Sequence, residues 1–300
     1  HNVAHSFPTR RSSDLITLQP VRLFELDAAI LFADIMTPFD AVGIDFDIVG
    51  GEGPVIPEPI GDASGLGRIR AFEAGKLDYL AEAIASIRAE LQGQVPLIGF
   101  AGAPFTLACY LVEGRGSRDF LGARRWLHQD PAGFGALLGR LVDMLSAYAK
   151  LQVRAGAEAL QVFDSWVGLL SPAQFRALVL PPLQRLFAEL RPLGVPLVYF
   201  APAAAGLLDS FAELGADVIG LDWRIDLAQA WQRLGPSHAV QGNLDPAVLL
   251  AGEAAIAEGV RQVLQAAGGR PGHIFNLGHG VQQQTPPEAV AFLARCVHGR

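Results

Sequence analysis

Lysine is nearly absent from this chain: Lys76 and Lys150 are its two examples. Both fall in helical patterns away from strand ends. That argues against a Schiff-base mechanism, which needs a lysine amine aimed into the site. Cysteine is as scarce. Cys109 and Cys296 lie far apart and show no redox or metal spacing, so two buried thiols in a reducing compartment are expected. From Ile16 onward the histidines form no HxxxH pair, and neither His-x-Cys nor Cys-x-x-Cys occurs. Zinc and di-iron centres are disfavoured accordingly. No serine sits in a Gly-x-Ser-x-Gly elbow, and no strand-like run leads into a full dinucleotide fingerprint. No apolar run approaches a membrane span and no secretory leader is evident, so the cytoplasm is the expected compartment. Charged residues make up 18% and the net charge is −7, so no global basic field draws nucleic acid or an anionic membrane. An anionic ligand would need local arginine or histidine groups.

What the chain does have is apolar sequence, 51% of 300 residues, enough for a sizeable core. The segment 1–15 stands apart. It contains Pro8-Thr9-Arg10-Arg11-Ser12-Ser13-Asp14 without clear periodicity, and no hydrophobic stretch follows its arginine pair. We expect it to be non-native or unstructured, ahead of one domain over 16–300. From Ile16 onward strand-like and helix-like segments alternate. Apolar runs at 29–33, 95–100, 159–163, 196–200, 217–221, 238–241 and 273–277 read as strands. Residues 77–91, 133–155, 172–190 and 256–267 read as the clearest helices. Ser171-Pro172-Ala173-Gln174 has the spacing of a capping box with proline at the first helical position. The stretch 44–56, with its Gly50-Gly51-Glu52-Gly53 turn, reads as a hairpin excursion. Repeated strand–helix units imply a parallel sheet. Seven strand candidates are present, whereas a (β/α)8 TIM barrel needs eight. The unit-to-unit regularity still favours the barrel over an open doubly wound sheet, with the first strand missing.

Chemistry-bearing residues gather at the ends of these strands. Gly99-Phe100-Ala101-Gly102-Ala103-Pro104 breaks a buried strand abruptly before a helical pattern through Tyr110. Small residues there let a ligand approach the backbone, although a plain strand-to-helix turn has the same composition. Asp34 ends one run, Asp164-Ser165 another and Asp222-Trp223 a third. Gln241-Gly242-Asn243-Leu244-Asp245-Pro246 begins at a strand end, and Asn276-Leu277-Gly278-His279-Gly280 closes the last. Any one of these acids is equally readable as a helix N-cap, and His279 as a structural histidine. Arg115 and Arg118 offer anion-binding groups but also fit a solvated loop.

Several blocks resemble the uroporphyrinogen decarboxylase family: 16–24, 28–35, Gly53-Pro54-Val55-Ile56-Pro57-Glu58-Pro59, 99–114, 160–165, 241–246 and 276–280, in the family's order. The resemblance implies a (β/α)8 barrel, typically a homodimer. It implies decarboxylation of the four acetate side chains of uroporphyrinogen III to coproporphyrinogen III in haem biosynthesis, without metal or organic cofactor. Asp34 would then be the catalytic carboxylate. Tyr110, Ser165 and His279 match substrate-contact positions, and Phe100 and Phe163 would wall the macrocycle. Family members also carry an N-terminal strand and an Arg-Gln-Ala-Gly-Arg loop that binds substrate carboxylates. Residues 1–15 do not match it, and weak activity of these 300 residues is expected in consequence. A corrinoid-dependent methyltransferase of the same superfamily is the nearest alternative, but Tyr199-Phe200-Ala201-Pro202-Ala203 offers no zinc ligands. A non-catalytic tetrapyrrole-binding protein or an inactive fragment is the other.

Overall fold

The computed structural model of the chain describes residues 10–51 and 53–299. Helix α1 (Arg10–Phe24) is followed by strand β1 (Ala29–Ile30), the short α2 (Pro38–Ala41) and the hairpin β2 (Asp47–Val49) and β3 (Gly53–Val55). Next come α3 (Asp78–Leu91), β4 (Leu97–Gly102), α4 (Pro104–Glu113), α5 (Leu121–Gln129) and the long α6 (Pro131–Ala155). Strand β5 (Ala159–Phe163), the short α7 (Pro172–Gln174), α8 (Leu180–Leu190), β6 (Leu197–Phe200) and α9 (Leu208–Phe211) continue the alternation. The chain ends with β7 (Val218–Gly220), α10 (Leu227–Leu234), β8 (Ala239–Gln241), α11 (Glu253–Ala267), β9 (His273–Ile274) and α12 (Pro287–Val297).

Seven parallel strands form one curled sheet in the order β1-β4-β5-β6-β7-β8-β9, and β2 and β3 pair separately as the expected hairpin. Every strand read from the sequence is present: β5 has the expected bounds, β4 starts and ends two residues later than expected, and the other five are shorter. Among the described residues β1 and β9 each keep one unpaired edge, so the sheet makes most of a TIM barrel with an open seam. Ile30, Phe32 and Ile274 are 43%, 46% and 45% exposed. Residues on the helix-facing side, such as Leu97, Leu197, Tyr199, Ile219 and Val240, have no exposure at all. Helix α1 tends the seam from β1's side: the Phe32 backbone N–H donates to Thr17 Oγ1 at 3.0 Å.

Two local outcomes correct the sequence reading. Helix α1 begins at Arg10, so residues 10–15, expected to be unstructured, are helical. The rest of that expectation, over residues 1–9, lies outside the described residues. The helix read over 172–190 is divided by a π-helical stretch at Phe175–Val179. The cause is Pro181 and Pro182, which lack N–H donors and force the preceding ladder open. The capping box itself forms: Gln174 N donates to Ser171 Oγ at 3.2 Å and Ser171 N to Gln174 Oε1 at 2.8 Å.

The turn after β4 depends on a helix. Strand β1 is too short to pair with the upper part of β4, which would strand the Phe100 backbone. Gln152 on α6, fully buried, takes the absent strand's place: its Oε1 accepts from Phe100 N at 3.0 Å and its Nε2 donates to Phe100 O at 2.9 Å. Gly99 makes room, since a Cβ there would lie 2.6 Å from Gln152 Oε1. Replacing Gln152 by Leu leaves a buried donor and acceptor unsatisfied, at about 1–3 kcal/mol each. A fall in urea-unfolding free energy of about 2 kcal/mol or more is expected; an unchanged midpoint would show that the clamp is dispensable.

Candidate active site

Strand pleating sorts the residues at the strand ends, because successive side chains take opposite faces. On β5, Gln161 faces the barrel interior: Gln241 Nε2, from non-adjacent β8, approaches its Oε1 to 3.5 Å. Phe163 shares that face, meeting Phe100 of β4 edge-to-face at 5.9 Å and Phe200 of β6 at 6.0 Å. The same alternation sends Asp164 back under the helices and Ser165 inward. On β1 it puts Ile30 on the inner wall at the seam, and Asp34 lies four residues beyond that strand, in the loop that leads to α2.

Asp34 is half-buried. Its Oδ1 accepts from Met36 N at 2.8 Å, and burial holds its carboxyl above the ordinary aspartate range. Tyr110, on α4, is close enough to sense it. Burial raises the phenol pKa, and the Asp34 charge raises it further. Tyr110 also stands edge-on to Phe120 at 5.3 Å and to Trp166 at 6.3 Å. Trp166 directly follows half-buried Ser165, so Ser165 joins this group through its neighbour.

His279 lies in a second group at the same end of the barrel. Its ring meets Trp223 edge-on at 6.3 Å, and the Arg224 guanidinium stacks 3.9 Å over that indole. Buried Asp222 accepts from Ala203 N at 2.7 Å, from Arg224 N at 3.1 Å and from Arg224 Nη1 at 2.6 Å. Asn243 Nδ2 donates to Asp222 O at 2.9 Å and Ile225 O at 2.8 Å, fixing the same loop. Gly278 is required there, because a Cβ would fall 2.5 Å from Trp223 N. Phe100 and Phe163 are thus in direct contact, Asp34 acts on Tyr110 through its charge, and His279 belongs to the separate Trp223–Arg224 group.

The remaining candidates have structural work. Asp245 caps the turn that follows it, accepting from Ala247 N at 2.9 Å. Arg115 and Arg118 are exposed in the loop after α4, where Arg115 bridges to Val55 of the hairpin. Among the described residues no three His, Cys, Asp or Glu side chains come together as a metal site. No helix of the described residues is long and apolar enough to cross a membrane. Phe200, Trp166 and Arg224 were not singled out as site residues from sequence, and Trp223 only as part of a strand end; the adjacency of Trp166 to Ser165 was the available signal.

Asp164 is fully buried behind the inner wall. Thr106, in the first turn of α4, donates to its Oδ1 at 2.7 Å, and the Tyr199 hydroxyl donates to Oδ2 at 2.9 Å. Burial pushes its pKa up to about 7 despite both bonds. Between the unfolded-chain value and about 7, the folded protein therefore holds a proton that the unfolded chain has released. Stability falls as pH rises through that window, by about 4 kcal/mol at most over three pKa units. Asp164→Asn removes the titration, so its denaturant midpoint should change less than the wild type's between pH 5 and pH 8. Parallel pH curves would rule this out.

Comparison with known proteins fits this geometry. The family model described as uroporphyrinogen decarboxylase (URO-D) matches residues 10–300. The uroporphyrinogen decarboxylase of Streptomyces griseus is 50% identical over 283 residues, covering 94% of this chain and 77% of the relative. That of Carboxydothermus hydrogenoformans is 47% identical, covering 94% and 81%. Among solved structures, a methyltransferase from Methanosarcina mazei superposes with a TM-score of 0.82 at 19% identity, covering 97% of this chain and 86% of that one. This last likeness is one of fold alone. On the match along nearly its whole length, the chain belongs to the uroporphyrinogen decarboxylase family.

Proposed function

We propose that the chain decarboxylates the four acetate side chains of uroporphyrinogen III, giving coproporphyrinogen III, with no metal or organic cofactor. Half-buried Asp34, within electrostatic reach of Tyr110 on the helix that follows the Phe100 strand, with Phe100 against Phe163 on the next strand, is the observation that carries this reading. Decarboxylation needs a sink for the electron pair that CO2 leaves behind. The pyrrole supplies it. A proton added to the ring carbon beside the acetate-bearing carbon makes the ring a cation. The bond to the carboxylate then breaks, and its electrons neutralise that cation as an exocyclic double bond. A proton added to the exocyclic carbon makes the methyl group, and the ring-carbon proton is released. Each cycle consumes one proton and releases one CO2.

Asp34 accepts pyrrole N–H bonds and holds its negative charge beside the cation in an environment poor in water. Tyr110, Ser165 and His279 bond substrate carboxylates, and Phe100 and Phe163 cover ring faces. We take 16–300 as one domain acting in the cytoplasm, partnered by a second copy. The seam admits water at Ile30, Phe32 and Ile274, which weakens every charge interaction inside. Turnover by these 300 residues is therefore expected to be slow; rates equal to those of the Streptomyces griseus relative would overturn that.

Asp34→Asn keeps the side chain's size and removes its charge. A fall in kcat of about 100-fold or more is expected, the scale found when one preorganised charge-stabilising group is lost. Because burial raises the Asp34 pKa, the wild-type rate should also drop on the acid side at a higher pH than an exposed aspartate would give. Near-normal kcat in the variant, measured by product chromatography, would remove Asp34 from the mechanism.

A further inference from the structure

The geometry points to Arg224 as a binding residue for a substrate carboxylate that does not react, a propionate at the rim of the site. The inference rests on the decarboxylase reading above. The substrate carries eight carboxylates, four of which persist in the product, while the chain itself is net −7. Local cations must therefore hold it.

Arg224 is built for this, unlike the loop arginines 115 and 118. It follows β7 by a few residues, at the barrel end that carries the other candidates. Two independent devices fix it. Nη1 is bonded to buried Asp222 at 2.6 Å, and the guanidinium plane lies 3.9 Å over Trp223. Asp222 is itself tied to Ala203 N and its carbonyl to Asn243, so the anchor does not move. Half of the Arg224 side chain stays exposed, against 5% for its partner Asp222. One side of the fork is thus held and the other faces outward, which suits a planar, two-point grip on a carboxylate. Trp223 links this arginine to His279, already a candidate for a substrate carboxylate. Arg224 follows β7, four strands along the sheet from β1 and three from β4, whereas Asp34 and Tyr110 follow β1 and β4, where the reacting acetate belongs. The assignment commits this grip to a propionate, the kind of carboxylate that persists in the product.

Such a contact is the same in substrate, transition state and product. Its loss raises KM and leaves kcat nearly unchanged. Arg224→Ala and Arg224→Gln are assayed with uroporphyrinogen III at enzyme concentrations that resolve slow turnover. Inhibition by coproporphyrinogen III and thermal melting are measured alongside. We expect KM and the product inhibition constant to rise together, by about tenfold, the scale of one charge-assisted bond. kcat should stay within about threefold and melting should be preserved in Arg224→Gln. Arg224→Lys restores part of the binding, since it keeps the charge without the fork. Unchanged KM and product inhibition in a folded variant overturn the assignment and leave the decarboxylase reading intact. A rise in KM without weaker product inhibition also overturns it, because the contact is then to an acetate. A wild-type chain that neither binds coproporphyrinogen III nor consumes uroporphyrinogen III overturns both.

Discussion

A strand in a parallel barrel turns successive side chains to opposite faces, and each face meets a different environment. One is sealed under helices, the other lines the interior. That constraint decides which neighbour in a dipeptide becomes a wall of the fold and which faces the site. Asp164 and Ser165 are adjacent in sequence, yet the first is fully buried behind β5 and the second is half-buried toward the barrel mouth. Tyr199 and Phe200 divide the same way: the tyrosine packs on Phe187 and Phe211 under the helices, the phenylalanine on Phe163 inside. Without the helical layer to hold the pleat, none of the inner side chains would keep its direction.

Three aspartates stand just past strand ends, and their surroundings give them three different characters. Asp34 has one backbone donor and partial burial, which leaves a carboxylate with unspent acceptor capacity. Asp164 has two hydroxyl donors and no solvent, and its charge is costly. Asp222 has a guanidinium and two backbone donors, and serves as an anchor for cationic and aromatic groups around it. Side-chain identity is the same in all three cases. What differs is the count and type of donors and the depth of burial.

The strands were legible in the sequence because each is a short apolar run ended by a breaker, and the candidate site positions were proposed from blocks that resemble the family. The hairpin and the capping box at Ser171 were equally readable from local chemistry. The start of α1 was not: Arg10 to Asp14 lacks apolar spacing, and the helix there is an extension of the amphipathic segment that follows. Gln152 was hidden for a different reason. Its partner lies 52 residues away, and nothing in the spacing around a helical glutamine announces a strand edge in need of bonds. Arg224 stacks on its own neighbour Trp223, but the meeting of Trp223 with His279 depends on a contact between the β7 and β9 loops that only the assembled barrel creates.

The glutamine clamp has a dynamic consequence for the site. Phe100, whose ring packs on Phe163 inside the sheet, takes backbone bonds from a helix rather than from a neighbouring strand. Its protection from solvent exchange is thus tied to the docking of α6 and not to the zipping of the sheet. Any fluctuation that lifts that helix frees the Phe100 backbone at the same moment, so the inner aromatic contact and the helical layer open and close as one cooperative unit.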